Sequence, residues 1–400
     1  MSTAASNREP RVSAVLREGD ERVTPLELFF DLVFVLALTQ CTALMAATPT
    51  WEGLLKGLLV LGVLWWSWVG YAWLTSVLDP EEGAVRLVIF ASMAAFLVAA
   101  LCVPRAFSGD ALLFACAYAV VRIAHILLFT LASREDAELR RSVIGLAAST
   151  MIGVALLVLA AFTGGALQLG LWGLALMLDA GGPFLFGAEG WKLVPGHFAE
   201  RHGLIVIIAL GESIVAIGAG TSAGIDAGVV AAAVLGVVVA GALWWMYFDV
   251  VAPIAARRLA AATEGRERNE IARDSYSYLH FPMVAGIALV ALGMKKTLGH
   301  VGQPLKLVPA VALLGGAAVY LLAHVAFRLR NMHTLNRRRL FVAGVLVLLV
   351  PVEAALKPPA LAILSVLAAV LAALIAYETL RFAEARDRAR HRAADERTVS

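Results

Sequence analysis

The residues of this chain that could do chemistry stand inside apolar stretches. Near the start, Glu27-Leu28-Phe29-Phe30-Asp31 places two carboxylates four residues apart, hence on one face of a helix, with Thr42 within about a right angle of both. Glu212, between Gly211 and Ser213, is about the ninth residue of an apolar run, which at ~1.5 Å per residue puts it near mid-bilayer. Arg122 and His125 lie three apart on a further run, one turn after Tyr118, and Tyr320 with His324 echoes them later. An ionised side chain is costly in lipid, so each of these groups needs a partner, water or a role. A deep arginine should neutralise a carboxylate, and Asp31 and Glu212 are the natural partners for Arg122. Glu212 leads the candidates, against the plainer reading of a polar clasp between helices.

Other polar residues have structural readings of equal weight. Glu27 and Asp31 sit in the first turns of a helix, where the dipole favours acids, so Glu27 also reads as a cap. In His197-Phe198-Ala199-Glu200-Arg201-His202 the two histidines are five apart and fall on different faces, which favours interface anchoring over metal ligation. Asp179, Asp249 and Glu353 lie nearer span ends or helix breakers. Cys41, Cys102 and Cys116 read as buried, inert thiols, and Trp65, Trp66, Trp68 and Trp73 as packing or interface aromatics. Gly211-Glu212-Ser213-Ile214-Val215 lacks the second glycine of a nucleophile elbow, and Gly218-Ala219-Gly220 is too short for a dinucleotide fingerprint. No catalytic set, metal cluster, cofactor motif or nucleic-acid footprint emerges, and the expectation is a protein that is not an enzyme.

Elements that could position such charges must be membrane spans. Hydrophobic residues make up 60% of the 400 and charged residues 16%, with a mean hydropathy of +0.82. A soluble chain of this length cannot hide that much apolar surface, whereas lipid solvates it. The fold class is all-α polytopic membrane protein, with about twelve spans of roughly 20 residues. The first six are expected near Leu26–Ala47, Leu54–Leu78, Leu87–Val103, Ala111–Ala132, Val143–Thr163 and Leu167–Phe186. The second six fall near Gly203–Thr221, Val229–Ala252, Tyr276–Met294, Val308–Phe327, Leu340–Ala355 and Leu361–Phe382. The weakest are the sixth, with Asp179 and Gly181-Gly182-Pro183, and the eleventh, with Pro351 and Glu353. No cleavable leader is read in the polar residues before Thr24. One set of loops, with both tails, carries nearly all the arginine, while the other holds only Lys56, Arg105, Lys295, Lys296, Lys306 and Lys357. This places both termini in the cytoplasm.

The halves echo each other. Leu64-Trp65-Trp66 matches Leu243-Trp244-Trp245, Ala124-His125 matches Ala323-His324, Arg140-Arg141 matches Arg338-Arg339, and Glu27 matches Glu200. Six helices per unit is even, so the tandem repeat is parallel. The expected organisation is a cytoplasmic tail (1–24), a first six-helix unit (25–188), a second (189–383) and a charged cytoplasmic tail (384–400).

Two stretches resemble a known family. Val23-Thr24-Pro25-Leu26-Glu27-Leu28-Phe29-Phe30-Asp31-Leu32-Val33-Phe34-Val35 is similar to the opening signature of the bacterial low-temperature-requirement A family. His197-Phe198-Ala199-Glu200-Arg201-His202-Gly203, then Leu210-Gly211-Glu212-Ser213, is similar to its second signature. The resemblance implies a multi-pass protein of the bacterial inner membrane, named for a cold-growth phenotype. Phe29-Phe30-Asp31 is also similar to the Phe-Ser-Asp signature of endosomal and lysosomal potassium channels, from which the chain departs at Phe30 and in its second half, where Leu204 aligns with Asp31.

The expected partners are the lipid bilayer, an ion or small solute, and a second copy of the chain. Three readings follow: a channel or secondary transporter whose interior holds Glu27, Asp31, Arg122, His125, Glu200, Arg201, Glu212, Ser213 and His324; a non-transporting factor for the envelope or lipids; and an intramembrane enzyme.

Overall fold

Each expected span coincides with helix in the computed structural model, which describes residues 22–185, 190–220 and 224–381. The expected tails lie outside those residues, apart from Arg22 to Thr24. The first half comprises α1 (Pro25–Ala47), α2 (Trp51–Thr75), α3 (Gly83–Cys102), α4 (Ala111–Ala132), α5 (Ala137–Ala160) and α6 (Gly165–Leu185). The second comprises α7 (Pro195–Gly220), α8 (Ala227–Phe248), α9 (Val251–Ala261), α10 (Arg266–Ile271), α11 (His280–Gly299), α12 (Leu307–Met332), α13 (Arg337–Leu356) and α14 (Ala360–Arg381). A π-helical turn, Ala272–Tyr278, joins α10 to α11, and no strand occurs among the described residues. Taking α8 with α9 and α10 with α11 as single spans, eleven helices among the described residues are long and apolar enough to cross a bilayer; α6, the expected sixth span, is a helix of 21 residues but is not one of the eleven.

The helices begin where local chemistry satisfies their free amides. Thr24 and Glu27 form a capping box on α1, with Pro25 in the first turn, and Thr50 and Asp226 cap α2 and α8. Asp136 caps α5 and meets Lys192 at 2.8 Å. The hydrogen bond from Lys192, followed by the backbone amide of Leu139, holds the Asp136 carboxyl below its ordinary range. The suspected breakers do not break: α6 runs through Pro183 and α13 through Pro351.

Each outward face is apolar. Phe29 (51% exposed), Leu32 (59%) and Leu127 (61%) point away from the bundle, while Glu27, Phe30, Asp31 and Phe34 of the same first helix point inward. Cys116, expected to be buried, is exposed on this outer surface, whereas Cys41 and Cys102 are buried. Of the tryptophans read as packing or interface aromatics, Trp65, Trp66 and Trp68 are buried packing residues and Trp73 is half-buried.

Helix neighbours recur in the two halves. α1 packs on α2 and α3, α3 on α4, α4 on α5, α5 on α6, and α6 returns to α2. Likewise α7 packs on α8 and α11, α11 on α12, α12 on α13, α13 on α14, and α14 returns to α8. The halves meet chiefly where α1 crosses α7 and α11. The π-helical turn locks this seam, because Ser277 accepts from Trp65 Nε1 on its carbonyl (2.9 Å) and from Trp73 Nε1 on its hydroxyl (3.0 Å). The extra residue per turn aims both acceptors at α2.

α11 and α12 approach closely because glycines line their contact. A Cβ at Gly316 would stand 2.7 Å from Leu289 Cβ and 2.8 Å from the Gly286 carbonyl oxygen, whereas one at Gly344 meets nothing within 4 Å. In lipid, where apolar burial drives no association, such packing holds helices together. Gly316→Val should therefore lower stability by about 1–3 kcal/mol, read as a lower thermal midpoint in detergent, and Gly344→Val should leave that midpoint in place.

Candidate functional site

The first turns of α1 and α7 converge with the last turn of α2, and the charges they carry are enclosed there. Glu27 is 2% exposed and Asp31 fully buried. Glu27 accepts from His197 Nε2 at 2.9 Å and lies 3.4 Å from Arg201 Nη1, which also donates to Thr75 Oγ1 at 2.8 Å. Arg201 Nη2 reaches Asp31 Oδ1 at 2.7 Å, and Trp68 Nε1 donates to the same oxygen at 2.7 Å. Ser76 completes the group at 3.2 Å from His197 Nδ1. The guanidinium also lies 5.6 Å from the Trp68 ring centroid. Glu27 thus serves both as cap and as ion-pair partner. Interface anchoring is overturned for His197 and His202, which are buried; Glu200 faces outward and accepts from the Val23 amide. His197 and Arg201 lie four apart and share a face, while His202 turns to Trp68 and Tyr276.

Arg122 does not meet Asp31 or Glu212. Its partner is Asp179 of α6, at 2.6 Å, with Thr150 Oγ1 at 2.8 Å and the Trp66 carbonyl at 3.2 Å. Tyr118 donates to the second Asp179 oxygen at 2.8 Å. Asp31 lies instead with Arg201 on the seam, so these two arginines clasp different helices. His125 shares with Arg122 a cavity of about 60 Å³ walled by Trp66, Trp73 and Trp191, and both its ring nitrogens lack a partner among the described residues. His324, its echo, lies 2.7 Å from Arg339 Nη1 through Nδ1, and Arg339 pairs with Glu378 of α14 at 2.8 Å.

Glu212 is separate from both clusters. It is 2% exposed, and its Oε2 accepts from Thr39 Oγ1 of α1 at 2.5 Å. The structure starts α7 at Pro195, eight residues before the expected Gly203, so Glu212 lies past the helix midpoint, about 12 Å from its end. Ser213 is buried beside it with its hydroxyl unpartnered among the described residues.

The nine candidate residues therefore divide. Glu27, Asp31 and Arg201 come together with His197, Thr75 and Trp68. Arg122 and His125 belong with Asp179, and His324 with Arg339 and Glu378. Glu212 and Ser213 stand apart with Thr39, and Glu200 faces outward. Asp179 and Arg339 were visible in sequence as charges within or beside weak spans, but Trp68 and Thr39 carried no signal, since neither is unusual in an apolar helix.

A family model described as bacterial low temperature requirement A protein (LtrA) matches residues 22–376. An uncharacterized protein of Rhizobium meliloti (strain 1021) is 32% identical over 306 residues, covering 74% of each chain. No solved structure matches.

Breaking a buried pair strands a charge, whereas replacing both partners with apolar residues does not. Arg122→Leu should cost about 3–5 kcal/mol, and Arg122→Leu with Asp179→Leu should recover most of it. Denaturation of both variants in one detergent measures the difference.

Proposed function

We propose that this chain, which belongs to the bacterial low temperature requirement A family, is a membrane channel or secondary transporter for an ion or small solute, with Glu212 as the group that meets the cargo. The observation that carries this reading is the company each carboxylate keeps. Glu27, Asp31 and Asp179 lie against guanidinium groups. Glu212 lies against a hydroxyl. A carboxylate already neutralised by arginine is a clasp, because releasing it leaves two buried charges. A carboxylate held by threonine, with the Lys295 ammonium within electrostatic reach but in no direct ion pair with it, can take a proton or exchange the hydroxyl for a cation without breaking an ion pair.

The position of Glu212 supports the same reading. Thr39 and Glu212 are 173 residues apart, as are the echoing Glu27 and Glu200. Equivalent points of the two units would then touch across the seam, the arrangement a parallel repeat produces at its axis. The recurring helix neighbours favour that repeat too, as do the arginine–acid pairs beside His125 and His324, whose acids Asp179 and Glu378 lie on corresponding helices α6 and α14. In this reading both termini face the cytoplasm of a bacterial inner membrane, and the flux supports growth at low temperature. The ion-paired Glu27–Asp31–Arg201 cluster closes the seam at its cytoplasmic end.

Purified protein in liposomes, loaded with a pH-sensitive or potassium-sensitive dye and given a proton, sodium or potassium gradient, tests it. Wild type should carry one of these ions above empty liposomes, and Glu212→Gln should lower that rate at least about tenfold, equivalent to about 1.4 kcal/mol, with an unchanged elution profile. Equal flux in both proteins removes Glu212 from the path. Flux no greater than from empty liposomes, with Glu212→Gln altering stability alone, favours a non-transporting membrane factor.

A further inference from the structure

A second, larger cavity of about 260 Å³ opens among helix ends in the second half of the chain. The last turn of α8, the start of α9, the end of α12, the start of α13 and the last turns of α14 surround it. Helix ends of spans lie at the level of lipid headgroups, so this cavity sits where phosphate is concentrated.

Its polar wall is arginine. Arg328, Arg338 and Arg339 all line it, against Asp249 and Glu378. Glu378 is already engaged, accepting from Arg339 at 2.8 Å and from Asn336 Nδ2 at 3.0 Å. Arg339 also donates to the Met246 carbonyl at 3.1 Å, which fixes it at the cavity floor, 5% exposed. Arg328 Nε donates to Thr334 at 3.2 Å, and Arg338 lies 5.3 Å from the Tyr377 ring centroid. Guanidinium groups gathered around one space repel each other, and an anion between them relieves that repulsion. A guanidinium matches phosphate in charge and in fork geometry.

The other wall is apolar. Ile254 and Ile375 face the cavity, and Trp245, 37% exposed in the last turn of α8, borders it. A free inorganic ion has no use for such a wall, whereas a lipid presents methylenes directly below its phosphate. We propose that this cavity seats the phosphate head of an anionic phospholipid, with Arg328 and Arg338 as donors and Trp245 and Ile254 against the glycerol and upper acyl chain. The buried Arg339–Glu378 pair forms the floor that keeps the two outer arginines in place. This site is independent of any transported species.

The test uses the full chain in nanodiscs of phosphatidylcholine, alone or doped with phosphatidylglycerol. Native mass spectrometry counts retained lipid, and thermal unfolding reads stabilisation. Wild type should retain phosphatidylglycerol in preference to phosphatidylcholine. Arg328→Gln with Arg338→Gln should lower that affinity roughly tenfold, while Arg140→Gln with Arg141→Gln, which removes equal charge elsewhere, should not. Arg338→Gln alone, at an exposed position, provides the same comparison with a smaller loss if the double variant does not fold. Equal retention in both double variants, or equal loss in both, overturns the proposal. Stabilisation by inorganic phosphate in phosphatidylcholine discs to the extent given by phosphatidylglycerol also overturns it, by assigning the site to a soluble phosphate.

Discussion

Arg201 reaches from the start of α7 to Asp31 and Glu27 on α1, and its charge has nowhere else to go. Lipid surrounds the bundle and water does not reach the pair, so each charge must be answered inside the protein. That requirement joins the first helix of one half to the first helix of the other and brings the end of α2 in through Thr75 and Trp68. The same rule binds α4, α5 and α6 through Arg122, Thr150 and Asp179, and α13 to α14 through Arg339 and Glu378. Burial of apolar surface does little to hold spans together in a bilayer, so these polar clasps and the close glycine contacts of α11 and α12 set which helices are neighbours.

Glu212 takes its meaning from this background. Where each neighbouring cluster answers acid with arginine, a carboxylate answered by threonine keeps its capacity to change partner or protonation. The seam between α1 and α7 is thus tied by ion pairs at one end and by threonine hydroxyls on Glu212 deeper in.

The π-helical turn belongs to the same economy of partners. It leaves the Ser277 carbonyl and hydroxyl aimed at two indoles of α2, while Tyr278 donates to the Ala180 carbonyl of α6. Three helices from the two halves are thereby fastened at one short irregular segment, which a regular helix could not do, since its carbonyls point along its own axis.

The sequence by itself determined the all-helical membrane class, the approximate spans and several of the buried charges, though not Glu200, which faces outward, because apolar run length and the cost of charge in lipid are local properties. It pointed to Glu27, Asp31, Arg201 and Glu212 as interior groups, and to family membership through the residues around them. Partner choice belonged to the tertiary structure. Arg122 met Asp179 rather than Asp31 or Glu212, His197 entered the Glu27 cluster instead of an interface, and Cys116 faced outward. Pairing depends on which helix faces lie together and at what depth. A shift of α7's start to Pro195 moved Glu212 past mid-span and set it beside Thr39, whose hydroxyl looks like any other until a carboxylate is placed against it.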